Sequence, residues 1–261
     1  MQLYVINLDR TPERMAHMAA QLSRLEVPYE RLSAVDGRAL DPTYVAKFPP
    51  MAATEIGCFL SHKVAWQRIV DGPGRYGIVL EDDIHIAPAF AKFALSTQWI
   101  STDAGIVKFE TINRPVCLDK TPHATWHGSA LRRLRTFHAG SAAYLLAKDT
   151  ARLLLMTHAQ LTEPADDAIF YVNEPWRRLP ATYQLDPAIC VQDQARSSGL
   201  KDPHLASLQE LPRQPSKSPR HSAQRDVRRF YRWVAAEAAA AAAAVGAGKP
   251  FIQKVVPFVG Q

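Results

Sequence analysis

The strongest constraint on the fold is the alternation of short apolar runs with amphipathic segments over the first 158 residues. Short apolar runs bounded by turn residues are typical of buried strands, and apolar residues three or four positions apart predict helices. Strands are predicted over Leu3–Leu8, Tyr29–Val35, Tyr76–Glu81, Gly105–Glu110 and Ser141–Ala147, and helices over Pro12–Leu25, Thr54–Val70 and Lys148–His158. This alternation predicts an α/β fold with a mostly parallel, Rossmann-like sheet flanked by helices.

The positive charge of the chain is concentrated in its C-terminal part. Residues 1–200 hold 21 basic and 21 acidic residues, whereas residues 201–233 hold eight basic and three acidic ones. The pI of 9.3 therefore does not indicate nucleic-acid binding by the folded part. We expect a domain over residues 1–200 and a tail over residues 201–261.

The tail combines a basic linker with an Ala-rich helix. Residues 211–226 are rich in Pro, Ser and Arg and favour a linker, whereas residues 227–245 have high helix propensity. Arg residues mixed with Phe, Tyr and Trp at the start of this helix suit a membrane surface. The alternative is an Ala-rich helix that packs on the domain or frays.

Cysteine usage and hydropathy favour a cytoplasmic protein. Cys58, Cys117 and Cys190 are odd in number and far apart, which argues against disulfides and against a structural zinc site. The N-terminus lacks the pattern of a signal peptide, and no run of about 18 apolar residues is present.

Three consecutive acids follow the third predicted strand. Because side chains alternate along a strand, Glu81 and Asp83 should point to one side and Asp82 to the other. Two carboxylates on one side can share Mg²⁺ or Mn²⁺ at the carboxyl edge of the sheet. One alternative is an acidic loop exposed to solvent. Another is the site of a phosphatase with an aspartyl nucleophile, because such a site also has a strand followed by two acids separated by one residue.

Five ordered motifs resemble glycosyltransferase family 25 over residues 1–198. They are YVINLDRTPERM at the start, AVDG at 34–37, EIGCFLSHKVAWQ at 55–67, IVLEDD at 78–83 and VKFET at 107–111. This family includes bacterial lipooligosaccharide galactosyltransferases and collagen galactosyltransferases. The resemblance implies a GT-A-like fold, a UDP-sugar donor, Mn²⁺ or Mg²⁺, and inversion at the anomeric carbon. The resemblance also implies that the triplet is the metal site. Asp83 is the first candidate for a metal ligand, Asp82 the second and Glu81 the third.

The same motifs imply a set of donor contacts, namely Asn7, Arg10, Arg14, His62 and Lys108. Arg suits a diphosphate because its guanidinium matches phosphate geometry. Each residue also has an ordinary structural alternative. Arg14 could be a solvated helix residue, His62 a core residue, and Lys108 the partner of Glu110 in an ion pair.

The segment LTEPADDAIF supplies the candidate catalytic base. An inverting transferase needs one base to take the proton of the acceptor hydroxyl. Asp166 or Asp167 is the candidate, and the alternative is simple capping of a helix. The sequence does not separate the two acids.

The predicted activity is transfer of a hexose, with galactose as first candidate, from a UDP-sugar to a glycan or lipid-linked oligosaccharide of the lipooligosaccharide type. Such an acceptor lies at the inner face of the plasma membrane, where a basic tail would bind anionic lipid. Two alternatives remain at this stage: a metal-dependent phosphohydrolase and a non-catalytic UDP-sugar-binding protein.

Overall fold

Eight strands form the central sheet, and all five predicted strands are among them. The computed structural model describes residues 1–48, 51–159, 161, 163–170, 180–196, 202–205 and 250–259. Numbered in chain order and given in their order across the sheet, the strands are β2 (Glu30–Ser33), β1 (Gln2–Asn7), β3 (Tyr76–Glu81), β10 (Ala143–Ala147), β5 (Ala104–Lys108), β11 (Ala181–Asp186), β9 (Ser129–Arg133) and β8 (Ala124–Trp126). The predicted strand ends are correct to within two residues.

The central sheet is mixed, but six of its eight strands run in one direction and only β10 and β9 run against them, so the predicted mostly parallel α/β sheet is confirmed. The pairs β2–β1, β1–β3 and β5–β11 are parallel, and the other four neighbouring pairs are antiparallel. Two of the antiparallel pairs belong to β10, whose first residue pairs with Leu80 near the end of β3. The chain enters β10 from the carboxyl edge of the sheet and therefore runs against both of its neighbours.

Helices cover both faces of the sheet. They are α1 (Pro12–Arg24), α2 (Pro42–Val45), α3 (Ala53–Asp71), α4 (Phe90–Ala94), α5 (Lys148–Thr157) and α6 (Ala165–Phe170). Because side chains alternate along β1, Val5 packs in the core on the side of α1, and Tyr4 packs on the side of α3, α5 and α6. The three predicted helices correspond to α1, α3 and α5.

Two small sheets complete the described part of the chain. In the first, β12 (Cys190–Gln192) lies between β4 (Ile84–Ile86) and β6 (Glu110–Thr111). In the second, β13 (Phe251–Val255) pairs antiparallel with β7 (Pro115–Asp119). The first sheet brings the end of β12 next to the acid triplet, because β4 begins directly after it.

The described residues beyond position 200 contact the body of the protein. Nε of Arg14 donates to the carbonyl oxygen of His204 at 2.8 Å, and Leu205 is buried. The amide of Ala188 donates to Pro257 at 2.8 Å. The division at residue 200 stays a prediction, and the predicted linker and Ala-rich helix lie outside the described residues. Among the residues that are described, no helix has the length and apolarity to cross a membrane.

Gly57 lies where α3 meets the turn after β2. A Cβ atom at Gly57 would stand 2.6 Å from the carbonyl oxygen of Val35 and 2.7 Å from the amide nitrogen of Gly37. Glycine in a helix costs about 1 kcal/mol relative to alanine. The close approach of the backbone of Val35 and Gly37 therefore accounts for a glycine within this helix.

Gly57→Ala is expected to lower the free energy of unfolding by about 1 to 3 kcal/mol, because the new methyl group meets backbone atoms that must move. Gly74→Ala is the matched control, since its Cβ would come no nearer than 3.3 Å to another atom. Urea denaturation of both variants measures the difference. Equal stability of the two variants would contradict the close contact.

Candidate active site

A cleft at the carboxyl ends of β1 and β3 holds most of the polar residues that the sequence singled out. It encloses about 700 Å³, including the part open to solvent, which is a usual size for a ligand site. Its apolar wall contains Ile6, Leu8 and Val35, and its polar wall contains residues of α3, the acid triplet and Gln192. Clefts at this edge are where open α/β sheets bind ligands.

Asp82 turns away from its neighbours towards α1. Nδ2 of Asn7 donates to its Oδ2 at 2.7 Å, and Nη1 of Arg14 donates to its Oδ1 at 3.0 Å. Burial raises the pKa of Asp82, and the hydrogen bonds from Asn7 and Arg14 offset this only in part. Asp82 therefore fastens α1 to the end of β3. Both of its oxygens have protein donors, at 2.7 and 3.0 Å, and its predicted role as a metal ligand stays a prediction.

Asp83 is the acid of the triplet whose charge is least compensated. Its side chain is buried, and Nε2 of Gln192 donates to Oδ1 at 3.2 Å. Burial, with the negative charges of Glu81 and Asp82, raises the pKa of Asp83 to about 8. A hard divalent cation favours carboxylate oxygens and would supply the missing positive charge. The donor set of Asp83 and Glu81 therefore fits Mn²⁺ or Mg²⁺.

Glu81 is held by two donors on one oxygen. Nε2 of His62 lies 3.1 Å from Oε1, and Oγ of Ser141 donates to the same atom at 2.9 Å. Burial alone would raise the pKa of Glu81, but the hydrogen bonds from His62 and Ser141, with the charge of Lys108, hold it below its usual value. Within the described part of the chain, no donor reaches Oε2.

A second group near the cleft has metal-ligating atoms, but its chemistry fits a cation less well. Ligand atoms of Cys58, His62 and Glu81 lie within 4.8 Å of one another. Both ring nitrogens of His62 have hydrogen-bond partners within the protein. Burial raises the pKa of the Cys58 thiol well above its usual value, and a metal needs the thiolate. The acids therefore remain the better site.

The predicted donor contacts differ in their access to the cleft. Arg10 is exposed and lines the cleft, where its Nε pairs with Asp36 at 2.6 Å. Arg14 and His62 also line the cleft but are buried with protein partners. Asn7 is buried behind Asp82 and accepts from Arg31 through Oδ1. Of these four, Arg10 is the one with an accessible charged group.

Lys108 does not reach the cleft, so the structure corrects its predicted role as a donor contact. Its side chain is fully buried, and Nζ donates to Oε1 of Glu110 at 2.9 Å and to the carbonyl oxygen of Gly140. The ammonium also lies 4.1 Å from the centre of the Phe170 ring. Burial lowers the pKa of Lys108, against the opposing charge of Glu110. The ion pair that the sequence offered as the alternative is the arrangement found.

The loop over residues 140–142 joins the triplet to the second acidic segment. Ser141 donates to Glu81, and the amide of Gly140 donates to Oδ2 of Asp166 at 3.2 Å. The amide of Ala142 donates to Glu110 at 2.7 Å, which fixes the loop from beneath. Gly140 has φ +90°, a conformation that favours glycine. This loop contacts the candidate metal ligand and the candidate base at once.

Asp166 and Asp167, which the sequence left equivalent, differ in burial. Both lie in the first turn of α6. Asp167 is buried, whereas Asp166 keeps part of its surface exposed. Oδ1 of Asp166 also accepts from the amide of Asp167 at 3.0 Å. Asp166 is therefore the better placed of the two to meet an acceptor.

Gln192, Ser141 and Tyr144 belong to the site although the sequence gave them no role. Gln192 reaches Asp83 because β12 pairs with β4, across 109 residues of sequence. Ser141 precedes β10 and Tyr144 lies within it, and the sequence of this segment carries no sign of hydrogen bonds to α3 or β3. Their roles depend on tertiary pairing, which local pattern does not encode.

His138 is a buried histidine beneath the site. Its Nδ1 lies 2.9 Å from Oε1 of Gln184, and among the described residues Nε2 has no hydrogen-bond partner. Burial and the positive charge of Lys108 lower the pKa of His138 to about 3. Since an unfolded histidine titrates near 6.5, the unfolded chain binds a proton here between pH 6.5 and 3 and the folded protein does not. Stability must therefore fall as the pH falls through this window.

The free energy of unfolding is expected to fall between pH 7 and pH 5 by about 2 kcal/mol more in the wild type than in His138→Gln. The variant keeps a polar side chain but has no group that titrates in this range. Urea denaturation at several pH values measures both slopes. Identical slopes would show that His138 titrates normally in the folded protein.

Comparison with known proteins places the chain among glycosyltransferases. Residues 1–169 match the sequence model of glycosyltransferase family 25, described as an LPS biosynthesis protein. The chain is 28% identical over 209 residues to the lacto-N-neotetraose biosynthesis glycosyltransferase LgtB of Neisseria gonorrhoeae, which covers 74% of this chain and 75% of LgtB. It is 27% identical over 206 residues to the lipooligosaccharide biosynthesis protein lic2B of Haemophilus influenzae, covering 73% and 75%.

Solved structures with a related arrangement are more distant. One is a glycosyltransferase involved in the glycosylation of the major capsid of PBCV-1, at 9% identity and a TM-score of 0.45. That alignment covers 78% of this chain and 96% of the capsid enzyme.

Proposed function

The chain belongs to glycosyltransferase family 25, and from this premise we propose that it is an inverting, metal-dependent enzyme that transfers a hexose from a UDP-sugar to a lipooligosaccharide-type acceptor. Galactose is the first candidate for the hexose. The observation that carries the proposal is the cleft lined by Glu81 and Asp83, in which Asp83 is buried beside two other acids, and which one loop joins to a partly exposed Asp166.

Glu81 and Asp83 are the residues that would hold Mn²⁺ or Mg²⁺. When bound, such an ion neutralises the charge of the diphosphate and of the departing UDP. Asp82 has a different task in this proposal. By pairing with Arg14 and Asn7 it fixes the turn from which Asp83 projects, so the two ligands are positioned before any donor arrives.

The donor nucleotide is proposed to lie along the apolar wall formed by Ile6, Leu8 and Val35. An aromatic base buries apolar surface against such a wall, which favours binding. Arg10 and Asp36, paired at 2.6 Å on the same wall, offer a cation to phosphate oxygens and a carboxylate to an N–H donor.

Asp166 is proposed as the base. Its carboxylate takes the proton from the acceptor hydroxyl while the hydroxyl oxygen bonds to the anomeric carbon. The bond from that carbon to the diphosphate oxygen breaks at the same time, and UDP leaves with its electron pair. Attack from the face opposite UDP converts an α-linked donor into a β-linked product.

A donor screen tests the proposed activity. UDP release is measured from UDP-galactose, UDP-glucose and their N-acetyl forms with a lipooligosaccharide acceptor, in Mn²⁺ and in EDTA. We expect turnover of one UDP-hexose that requires both metal and acceptor. Turnover that survives EDTA would exclude the metal, and turnover of sugars on other nucleotides alone would exclude UDP as the carrier.

The basic tail is proposed to bring the enzyme to the membrane that carries the acceptor. Seven Lys and Arg residues lie between positions 211 and 232, outside the described residues, and each could contribute about 1 kcal/mol near an anionic surface. Changing all seven to Gln tests this better than truncation near residue 200, because residues 202–205 and 250–259 contact the domain. Equal co-sedimentation of both proteins with anionic liposomes would exclude the proposal.

A further inference from the structure

Three buried side chains behind the cleft form a continuous line of hydrogen bonds that ends at Glu81. Nε1 of Trp66 donates to the hydroxyl oxygen of Tyr144 at 2.8 Å. That hydroxyl lies 2.9 Å from Nδ1 of His62, and Nε2 of His62 lies 3.1 Å from Oε1 of Glu81. Trp66 and Tyr144 are fully buried and His62 is 1% exposed. Water therefore has little access to the links between Trp66, Tyr144 and His62, whereas Glu81, whose side chain is 20% exposed, borders the cleft.

The direction of each hydrogen bond follows from the first one. An indole N–H only donates, so the oxygen of Tyr144 accepts from Trp66 and its own hydrogen is left to donate. Nδ1 of His62 lies at 2.9 Å to receive it. A neutral imidazole that accepts at Nδ1 carries its proton on Nε2, and this N–H faces the carboxylate of Glu81. Every donor then meets an acceptor.

The opposite tautomer would break two hydrogen bonds. With the proton on Nδ1, the hydroxyl hydrogen of Tyr144 would have no acceptor there, and the lone pair on Nε2 of His62 would face the lone pairs of Glu81. Oγ of Ser141, 3.3 Å from Nε2, could donate to that nitrogen only by giving up its own 2.9 Å bond to Glu81. Leaving a buried polar group without its partner costs about 1 to 3 kcal/mol. Two such losses are enough to exclude that arrangement at equilibrium.

The fold explains why these residues meet. Trp66 and His62 are four positions apart on α3, so both lie on one face of the helix. Tyr144 stands on β10, which pairs with β3, the strand that ends at Glu81. The line thus connects α3, β10 and the end of β3 at Glu81.

We propose that Trp66, Tyr144 and His62 act as a positioning relay. Trp66 and Tyr144 fix His62 as the Nε2–H tautomer. The Nε2–H group then holds Oε1 of Glu81 and leaves Oε2 for the divalent ion that binds with the donor. This inference rests on the proposed function and assigns His62 a role different from the direct donor contact implied by the sequence. Ser141 is the second donor to Oε1. Partners in this position around a metal typically change its affinity by about 10- to 100-fold.

The test compares Tyr144→Phe with Tyr4→Phe. Tyr4 is a buried tyrosine of the same core, and its hydroxyl donates to the carbonyl oxygen of Arg68 at 3.2 Å, outside the relay. Both variants lose one buried hydroxyl and keep the ring. Nitrogen-15 NMR of histidine-labelled protein without metal reads the tautomer of His62, with His62→Gln used to assign its signals. Mn²⁺ titration and the kinetics of UDP release follow for each protein.

We expect a pyridine-like Nδ1 and a protonated Nε2 in the wild type and in Tyr4→Phe. In Tyr144→Phe this pattern should be lost, with a fall of at least about tenfold in Mn²⁺ affinity. His62→Gln should keep more Mn²⁺ affinity than His62→Leu, because it retains an N–H donor. A wild-type His62 with its proton on Nδ1, or Mn²⁺ affinity equal in Tyr144→Phe and Tyr4→Phe, would overturn the relay.

The NMR measurement needs neither metal nor turnover, so it separates two kinds of failure. A wild type that binds no Mn²⁺ and releases no UDP would refute the proposed function, whatever the tautomer of His62. An active, metal-dependent wild type with the wrong tautomer would refute the relay alone.

Discussion

Asp83→Asn is expected to lower kcat/KM for UDP release by about 100- to 1,000-fold and to abolish Mn²⁺ binding. The same change should raise the free energy of unfolding of the metal-free protein by about 1 to 3 kcal/mol. The reason is that Asp83 is buried beside two other acids and has Gln192 as its donor. An asparagine side chain has the same shape but no negative charge. It therefore removes both the repulsion from Glu81 and Asp82 and the carboxylate that would bind the metal.

Asp82→Asn is the matched control for this prediction. Its carboxylate pairs with Arg14 at 3.0 Å in a buried setting, so the change removes the negative charge beside a buried guanidinium and should cost about 3 to 5 kcal/mol of stability. In urea denaturation with EDTA, Asp83→Asn should therefore be the more stable variant. In the Mn²⁺ titration, Asp82→Asn should be the variant with the higher affinity. Full activity in Asp83→Asn, or a stability loss equal to that of Asp82→Asn, would refute the assignment of Asp83.

Asp166→Asn is expected to lower kcat by about 100- to 10,000-fold with little change in Mn²⁺ affinity or in the KM for donor. The side chain of Asp166 accepts from two backbone amides, those of Gly140 and Asp167. An asparagine oxygen can keep one of these bonds, so the fold should survive the change. What is lost is the capacity to take a proton.

Asp167→Asn serves as the comparison, because Asp167 lies in the same turn but is buried. Its effect should be seen mainly in the unfolding temperature. Steady-state kinetics with the donor and acceptor identified by the screen measure both variants. A loss of kcat in Asp167→Asn alone would show that Asp167 is the base. An unchanged kcat in Asp166→Asn would exclude Asp166 as the base.

The sequence was sufficient for the features that depend on local pattern. Short apolar runs located the strands, and apolar residues three or four positions apart located the helices. Alternation also separated Asp82 from Glu81 and Asp83, and Asp82 is the acid that pairs with α1. The alternatives of a phosphohydrolase and a non-catalytic protein could not be decided from the triplet. Family membership decides them in favour of a transferase.

Features that depend on pairing between distant segments could not be predicted. The antiparallel entry of β10 follows from a long excursion after β5, which the strand pattern does not record. Lys108 looked accessible because it ends a strand at the functional edge, yet Glu110, Gly140 and Phe170 enclose its ammonium. Gln192 reaches Asp83 across more than 100 residues, and no local pattern marks it.

The pairing of β13 with β7 has a consequence for how the protein is made. Phe251 pairs with Asp119 and Val255 with Pro115, so one edge of β7 lacks its partner until more than 130 further residues have been synthesised. At about 5 to 20 residues per second, this delay is roughly 7 to 26 seconds. An unpaired strand edge is a template for association with other chains. Nascent chains of this enzyme should therefore depend on chaperones until the last strand leaves the ribosome.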